Sequence, residues 1–506
     1  MTRPNALWAL LILATTHGGC ATSYFVDSKG ILGGLAGRAW RSVVHLEPVT
    51  AAPVNVDSDG RTHLSFDAAS SGDRIILAAT LFDSTSGVYR LYSRAYDLEV
   101  GLAASGVSAN FVDLATSAEA GESLGAIGLV GSRTGKGVTA SAFQTAGAAA
   151  QRAVCRFTGT DWGDPQFDAA GPVVSIPADA LLQGGPLAAS VLDQLGEVYT
   201  AFVETASDLL TLESHSVGGA AAVQFAELSE SSVGVADRQV SLAFDGVDQV
   251  CALWQNTAVA TTVNFHCVSS LTGTVGAATA LSLGSEGWGH AIAGRGAILV
   301  AVYFAQDSAG TMQVYAHLTD DGTFSGTPEA VSEEMDSDFE VLGDLSEGGA
   351  PQVVALSSNT FMVAWAAASA TEAGIFYSIY TVDEDEWSTP ELIDQAITYS
   401  TLTPIDSFHL FTDGDSGAGV AIRYFSNAGA TRDESTRKML LGRYHSSVGW
   451  LALVQKGEGC TPASAAEVAG CSHRPTGAIL DSGAAVVLFQ DQDTDGNYRW
   501  SGVEFR

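Results

Sequence analysis

The sequence predicts an all-β fold, a single ring of eight four-stranded sheets, and three observations carry that prediction. A four-strand unit recurs along the chain, an aromatic residue marks the same place in every copy, and the two chain ends are each incomplete in a way that completes the other.

The unit is clearest from Pro351 to Leu392. Val353 to Leu356 is a short apolar run and Ser357 to Asn359 supply turn residues. Phe361 to Trp365 is a second run, Ala370 to Gly374 turn, Ile375 to Thr381 alternates, and Trp387 with Pro390 opens a fourth strand. Each run is short, rich in β-branched or aromatic residues and bounded by Ser, Asn, Gly or acidic turns, a pattern for antiparallel strands and not for helices.

Further copies begin near Leu64, Leu124, Leu187, Val240, Ala291, Phe408 and Thr476. Their spacing of roughly 50 to 70 residues implies long connecting loops. The second strand of each copy closes on an aromatic: Phe82, Phe143, Phe202, Trp254, Tyr303, Trp365, Tyr424 and Phe489. One aromatic per sheet at a fixed place is what face-to-face packing of neighbouring sheets requires, a reading preferred here over a ring of sugar-stacking rings around a pocket. The last copy, His473 to Arg506, holds three strands, and the stretch Trp40 to Pro48 has the character of a fourth. Joining them would close the ring and remove two exposed strand edges. Seven sheets is the alternative, because Thr403 to Gln455 aligns poorly with the other copies.

Composition sets limits on function. Apolar residues make up 46% of the 506-residue chain and charged residues 16%, ample for a core and opposed to disorder. Asp and Glu number 57 against 23 Lys and Arg, a net charge of −34 that repels phosphate backbones and anionic lipid. Nucleic acid is thereby excluded as a partner, and the acidity reads first as solubility.

Residues 1–19 read as an export signal: Arg3 with the amino group, an apolar Ala6 to Ala14, then His17-Gly18-Gly19 before Cys20. Residues 20–37, with four glycines, read as a tether, and 38–506 as the folded body. No other run approaches the ~18 apolar residues of a spanning helix, so contact with a membrane would come only through an anchor. Among the remaining cysteines, Cys251 and Cys267 stand on two runs placed symmetrically about a turn, where a hairpin sets them opposite each other. Cys460 and Cys471 flank a Gly, Ala and Ser-rich loop that a bridge would staple. Cys155 is left as a buried thiol. Paired cysteines agree with an oxidising compartment.

Two resemblances follow from these residues. Gly18-Gly19-Cys20 resembles a bacterial lipobox, which implies acylation of Cys20 and an outer-membrane or cell-surface location, with His17 departing from the usual aliphatic residue and plain secretion as the alternative. The strand pattern with its Trp-x-x-Pro entry resembles the sialidase-like and BNR-type β-propellers. That family's Asp-box would fall at the third turn of each unit, where this chain reads FTGTDW (Phe157 to Trp162), LTDDGTF (Leu318 to Phe324) and TVDEDEW (Thr381 to Trp387). Asp320 and Gly322 keep two of its three marks, so the resemblance implies the fold and not the catalytic branch. A sialidase-type site would need three converging arginines, a Tyr with a Glu, and an acid. Arg74, Arg238, Arg295, Arg423 and Arg474 are the arginines considered, and Arg423 on its apolar strand reads as packed against an acid.

The sharpest local motif is Asp491-x-Asp493-x-Asp495-Gly496, alternating carboxylates that suit Ca2+, though an Asp-Gly turn is the plainer reading because no Glu completes an EF-hand loop. Asp57-x-Asp59-Gly60 and Asp413-x-Asp415 are weaker versions. Gly121 to Gly125 matches a nucleophile elbow, but an apolar strand follows where a helix is needed. Gly131 to Gly137 falls one residue short of a phosphate loop. The expectation is a monomeric binding or scaffold module with no required cofactor and no assigned catalytic residue. Its ligand would be a glycan or an envelope protein, met on loops after the second and fourth strands; a glycoside hydrolase or lyase is the alternative.

Overall fold

A computed structural model describes residues 38–46, 65–71, 74–83, 88–102, 111–115, 124–131, 138–146, 149–157, 166–167, 188–203, 210–215, 223–227, 240–256, 262–272, 279–281, 287–320, 323–324, 327–343, 349–399, 404–426, 437–456, 475–492 and 498–506. The described residues contain strands and turns and no helix. They form eight antiparallel sheets, sheets 1 to 8 in chain order, whose first strands are Ser65–Ser71, Leu124–Gly131, Ala188–Leu192, Val240–Phe244, Gly287–Arg295, Gln352–Ser357, Ile405–Thr412 and Thr476–Ile479. Each first strand pairs with a second, the second with a third and the third with an outer fourth.

The second strands are Arg74–Asp83, Val138–Ala146, Val198–Val203, Gln249–Asn256, Ile298–Gln306, Thr360–Ala368, Gly417–Phe425 and Ala485–Gln492. All eight marker aromatics lie on them, one to three residues before the strand end. Among the five whose side chains are described, Trp254, Tyr303, Trp365, Tyr424 and Phe489 are all buried. Sheet 6 shows why this position favours a large ring. Alternate side chains of a strand point to opposite faces, so Phe361, Val363 and Trp365 enter the core shared with sheet 5. Met362, Ala364, Ala366 and Ala368 enter the core shared with sheet 7. One strand thus presents a bulky face and a small one. Trp254, Tyr303 and Phe489 likewise face the sheet that precedes their own, so repeated position follows from repeated packing.

The fourth strand of sheet 6 differs from the sequence reading. In place of one strand entered at Trp387, three short segments, Glu386–Trp387, Glu391–Leu392 and Ile397–Thr398, pair in turn with Glu372–Thr381. Pro390 lacks an N–H for the ladder, and Asp394 turns the chain at a φ of 63°. The second turn is also shorter than Ala370 to Gly374, since the third strand begins at Glu372.

The first strands of successive sheets adjoin one another, and Thr476–Ile479 adjoins Ser65–Ser71. Val44–Leu46 is the outer strand of sheet 8, with Val44 opposite Gly502 and Leu46 opposite Trp500. Trp40 bridges Phe505, their rings 5.3 Å apart. Leu46 is buried among Phe66, Ile75 and Leu77 of sheet 1 and Val486 and Leu488 of sheet 8.

Candidate functional site

The first strand of each sheet is bonded within its sheet on one side only, and its other edge of N–H and C=O groups lies toward the first strands of neighbouring sheets. Such an edge needs partners. Polar side chains of neighbouring sheets supply them. Gln352 donates from Nε2 to the carbonyl of Phe408 at 2.6 Å and accepts at Oε1 from the N–H of Leu410 at 2.8 Å. Ser241 donates to the carbonyl of His290 at 3.1 Å and lies 3.0 Å from its Nδ1. Asp67 joins three first strands: it accepts from Ala68 N at 2.8 Å, from Leu129 N of sheet 2 at 2.7 Å and from the Thr476 hydroxyl of sheet 8 at 2.5 Å. Burial pushes its carboxyl up to about 6 despite those three donors. None of these groups was singled out in the sequence, because nothing local distinguishes a Gln or an Asp that meets a neighbour fifty or more residues away.

The end of the molecule that carries the first and third turns of each sheet is built on a second device. Asp193 Oδ1 accepts from the N–H groups of Leu195 and Glu197, and Asp245 Oδ1 from those of Val247, Asp248 and Gln249. Asp413 Oδ1 does the same for Asp415 at 2.7 Å and Gly417 at 2.9 Å. These are Asx turns, with Gly196, Gly246 and Gly414 at positive φ. Asp413-x-Asp415, a weak cation motif by sequence, is therefore a turn cap whose other oxygen lies 3.5 Å from Arg443. The Arg443 side chain is fully buried, and Nη1 donates at 2.6 Å to the carbonyls of Ala418 and Tyr444. Burial pushes its guanidinium down to about 10, against the pull of Asp413.

Beside this pair, Ser416 Oγ lies 3.3 Å from His445 Nε2. The N–H of Ser447 donates to Nδ1, so the proton sits on Nε2 and points at Ser416. An imidazole held in that tautomer cannot remove the serine's proton, and the couple fails as nucleophile and base. Burial, then the Arg443 charge, hold His445 below its usual range.

The remaining sequence candidates separate in space. Arg423 is buried and pairs with Asp406, Nε to Oδ2 at 2.5 Å, as a packed arginine on an apolar strand should. It lies toward the second turn of sheet 7, opposite Ser407 and Met439. Arg74 and Arg295 stand at the first turns of sheets 1 and 5, at the other end of their strands. Arg423 is thus separated by a strand's length from the other two. Arg238, Arg474, Cys20, Cys460, Cys471, Asp57, Asp59, Asp493, Asp495 and the loop before Leu124 lie outside the described residues, as do the side chains of Asp491 and Cys155. Among the described residues no group of three or more His, Cys, Asp or Glu side chains is placed to hold a metal ion. Cys251 and Cys267 stand opposite each other in sheet 4 and form a disulfide.

Among the described residues, Tyr199 donates to Glu197, two residues away, at 3.3 Å, and two more tyrosines meet glutamates of other strands. Tyr377 donates to Glu391 at 2.6 Å on the outer strands of sheet 6, and Tyr96 to Glu504 at 3.0 Å between sheets 1 and 8. Burial and the facing carboxylate raise both phenols, so each stays neutral and poorly nucleophilic at pH 7. Glu504 also accepts from Leu102 N at 2.8 Å and pairs with Arg506 at 3.0 Å, which makes it a clasp between the first and last sheets. The Thr381 to Trp387 turn, where an Asp-box would fall, is tied by Tyr380 to Asp385 at 2.5 Å and Asn359 to Asp383 at 2.9 Å. Tyr380 packs on Trp387 and Tyr444 on Trp450 across equivalent turns, ring centres 5.1 and 5.4 Å apart.

Meander sheets joined side by side through their first strands define a propeller architecture. The fold is a β-propeller. No family model matches the chain, and no curated protein does. Solved structures match. The β-propeller domain of the Trilobed protease from Pyrococcus furiosus is 10% identical, over 75% of this chain and 95% of its own, with a TM-score of 0.40. The Aleuria aurantia lectin, a six-bladed β-propeller that recognises fucose, is 14% identical over 65% of this chain and 94% of its own, TM-score 0.34. The Penicillium chrysogenum α-L-arabinanase is 12% identical over 66% and 96%, TM-score 0.35.

Proposed function

We propose that the chain is an eight-bladed β-propeller, closed between Val44–Leu46 and Tyr498–Phe505, that works as a non-catalytic binding or scaffold module. The observation that supports this most is how its buried polar groups are used. Asp67, Gln352, Arg443 and Glu504 each bind backbone groups of neighbouring sheets, the work of a frame. The ligand, a glycan or an envelope protein, is met on the loops after the second and fourth strands, where a propeller carries its variable segments. Export and anchoring through an acylated Cys20 belong to the same reading, and the Cys251–Cys267 disulfide agrees with an oxidising compartment.

The test is a glycan array with the full chain, read both for retention and for cleavage of the retained glycans. Retention without turnover supports the module; turnover lost on altering a loop carboxylate would establish a glycoside hydrolase or lyase instead. Cys20→Ser should abolish acylation and release the protein from the membrane fraction, and unchanged fractionation would overturn the anchor. Ca2+ at Asp491, Asp493 and Asp495 is tested by melting: a chelator should lower Tm in the native chain and leave Asp493→Ala unaffected.

A further inference from the structure

The turn-bearing end of sheets 3 and 4 carries three apolar side chains on protruding tips: Leu195, Val247 and Leu271, respectively 58%, 51% and 70% exposed. Single exposed apolar residues are ordinary. These three stand on turns that hydrogen bonds join into one platform. Gln194 donates from its amide to the carbonyls of Gly246 and Val247, linking the tip of sheet 3 to that of sheet 4. Ser270 N donates to Asp248 O at 2.7 Å, linking the first turn of sheet 4 to its third, and Tyr199 OH donates to Ser270 O at 3.4 Å. The carboxylates of Asp193 and Asp245 fix the two hairpins beneath. Little conformational freedom remains to be lost when something covers the tips, which is what preorganises a docking surface.

Charge decides among occupants. The three turns hold Asp193, Glu197, Asp245 and Asp248 and no Lys or Arg, within a chain of net charge −34. A second copy would bring like charge to this rim, and an anionic membrane would be repelled as well. We propose that this platform docks a cationic amphipathic segment of another protein, whose apolar side chains cover Leu195, Val247 and Leu271 while its Lys or Arg residues meet Glu197 and Asp248. The surface lies at the opposite end of the sheets from the loops proposed to hold the ligand, so the two proposals stand or fall separately.

The probe is a fluorescent peptide of alternating Lys and Leu, with a Lys/Ser peptide of equal charge as control, titrated against the full chain. The Lys/Leu peptide should bind at least tenfold more weakly to the Leu195→Ser/Val247→Ser/Leu271→Ser variant, and its affinity should fall with salt. Val100→Ser/Val448→Ser, which removes exposed apolar tips from sheets 1 and 7, should leave it unchanged. The Lys/Ser peptide should not distinguish any of the three proteins. Should the triple variant fold poorly by circular dichroism, Leu271→Ser alone, on the most exposed tip, should still weaken binding. Unchanged affinity in the folded variants overturns the proposal. So does a dimer in sedimentation that the variant abolishes, or flotation of the Cys20→Ser chain with phosphatidylcholine/phosphatidylglycerol vesicles that the triple variant abolishes.

Discussion

At the scale of single residues, two groups concentrate the chemistry of the frame. Asp67 titrates near 3.8 when unperturbed and near 6 in the folded chain, so the folded state holds its proton more tightly. Its contribution to stability is then greatest below about pH 4 and is lost as pH rises through 6. Asp67→Asn, which mimics the protonated form, should gain Tm relative to the native chain between pH 4 and 7; a constant difference across that range would sink this account. Trp365 is the other. Its ring is wholly buried in the core between sheets 5 and 6, and Trp365→Ala should cost about 3–5 kcal/mol in urea unfolding, with Trp365→Phe well below that. The aromatic markers were legible in the sequence because their spacing repeats. The Asp67 and Gln352 contacts were not, since each depends on which strands become neighbours.

At the scale of elements, strand and hairpin are secured by different means. In sheet 4 the Cys251–Cys267 disulfide ties the second and third strands at a sequence separation of 16. Removing it as Cys251→Ala/Cys267→Val should lower stability by about 3 kcal/mol, the value for closing a loop of that length, measurable as a drop in the urea midpoint with a slope no shallower than that of the native chain, since the opened unfolded state exposes more surface. Its position was readable from the sequence, as both cysteines flank a turn symmetrically. Sheets 1 and 2 approach so closely that a Cβ on Gly131 would sit 1.7 Å from the carbonyl oxygen of Ser70. Gly131→Ala should therefore force the two first strands apart and reduce soluble yield, whereas Gly310→Ala, open on all sides though at positive φ, should fold with a modest loss. The Asx turns at Asp193 and Asp245 escaped sequence reading, while at Asp413 the turn and the cation site shared one pattern. Asp-x-Asp-x-Gly suits a cation and a hairpin cap alike, and only the N–H groups around Asp413 decide between them.

At the scale of the whole molecule, stability is distributed over cores between sheets, including one shared by the last sheet and the first. Leaving out residues 38–46 should strip the outer strand from sheet 8, bare the edge of Tyr498–Phe505 and lower Tm, with concentration-dependent aggregation in light scattering. A truncated chain that melts like the full one would refute closure by this strand. The all-β propeller was legible at this scale because a four-strand unit repeats along the chain, while closure through the two incomplete copies is part of the reading that the truncation tests. The ligand was not, because it depends on loops whose composition carries no repeat.

The pairing of Val44 with Gly502 also sets an order for folding. Translation delivers the outer strand of sheet 8 long before its partner, which leaves it waiting while every intervening sheet is made. The contact of Leu102 with Glu504, 402 residues apart, can form only then. Folding should accordingly end in one late, slow step, and a chain lacking its last strand should remain open to proteases.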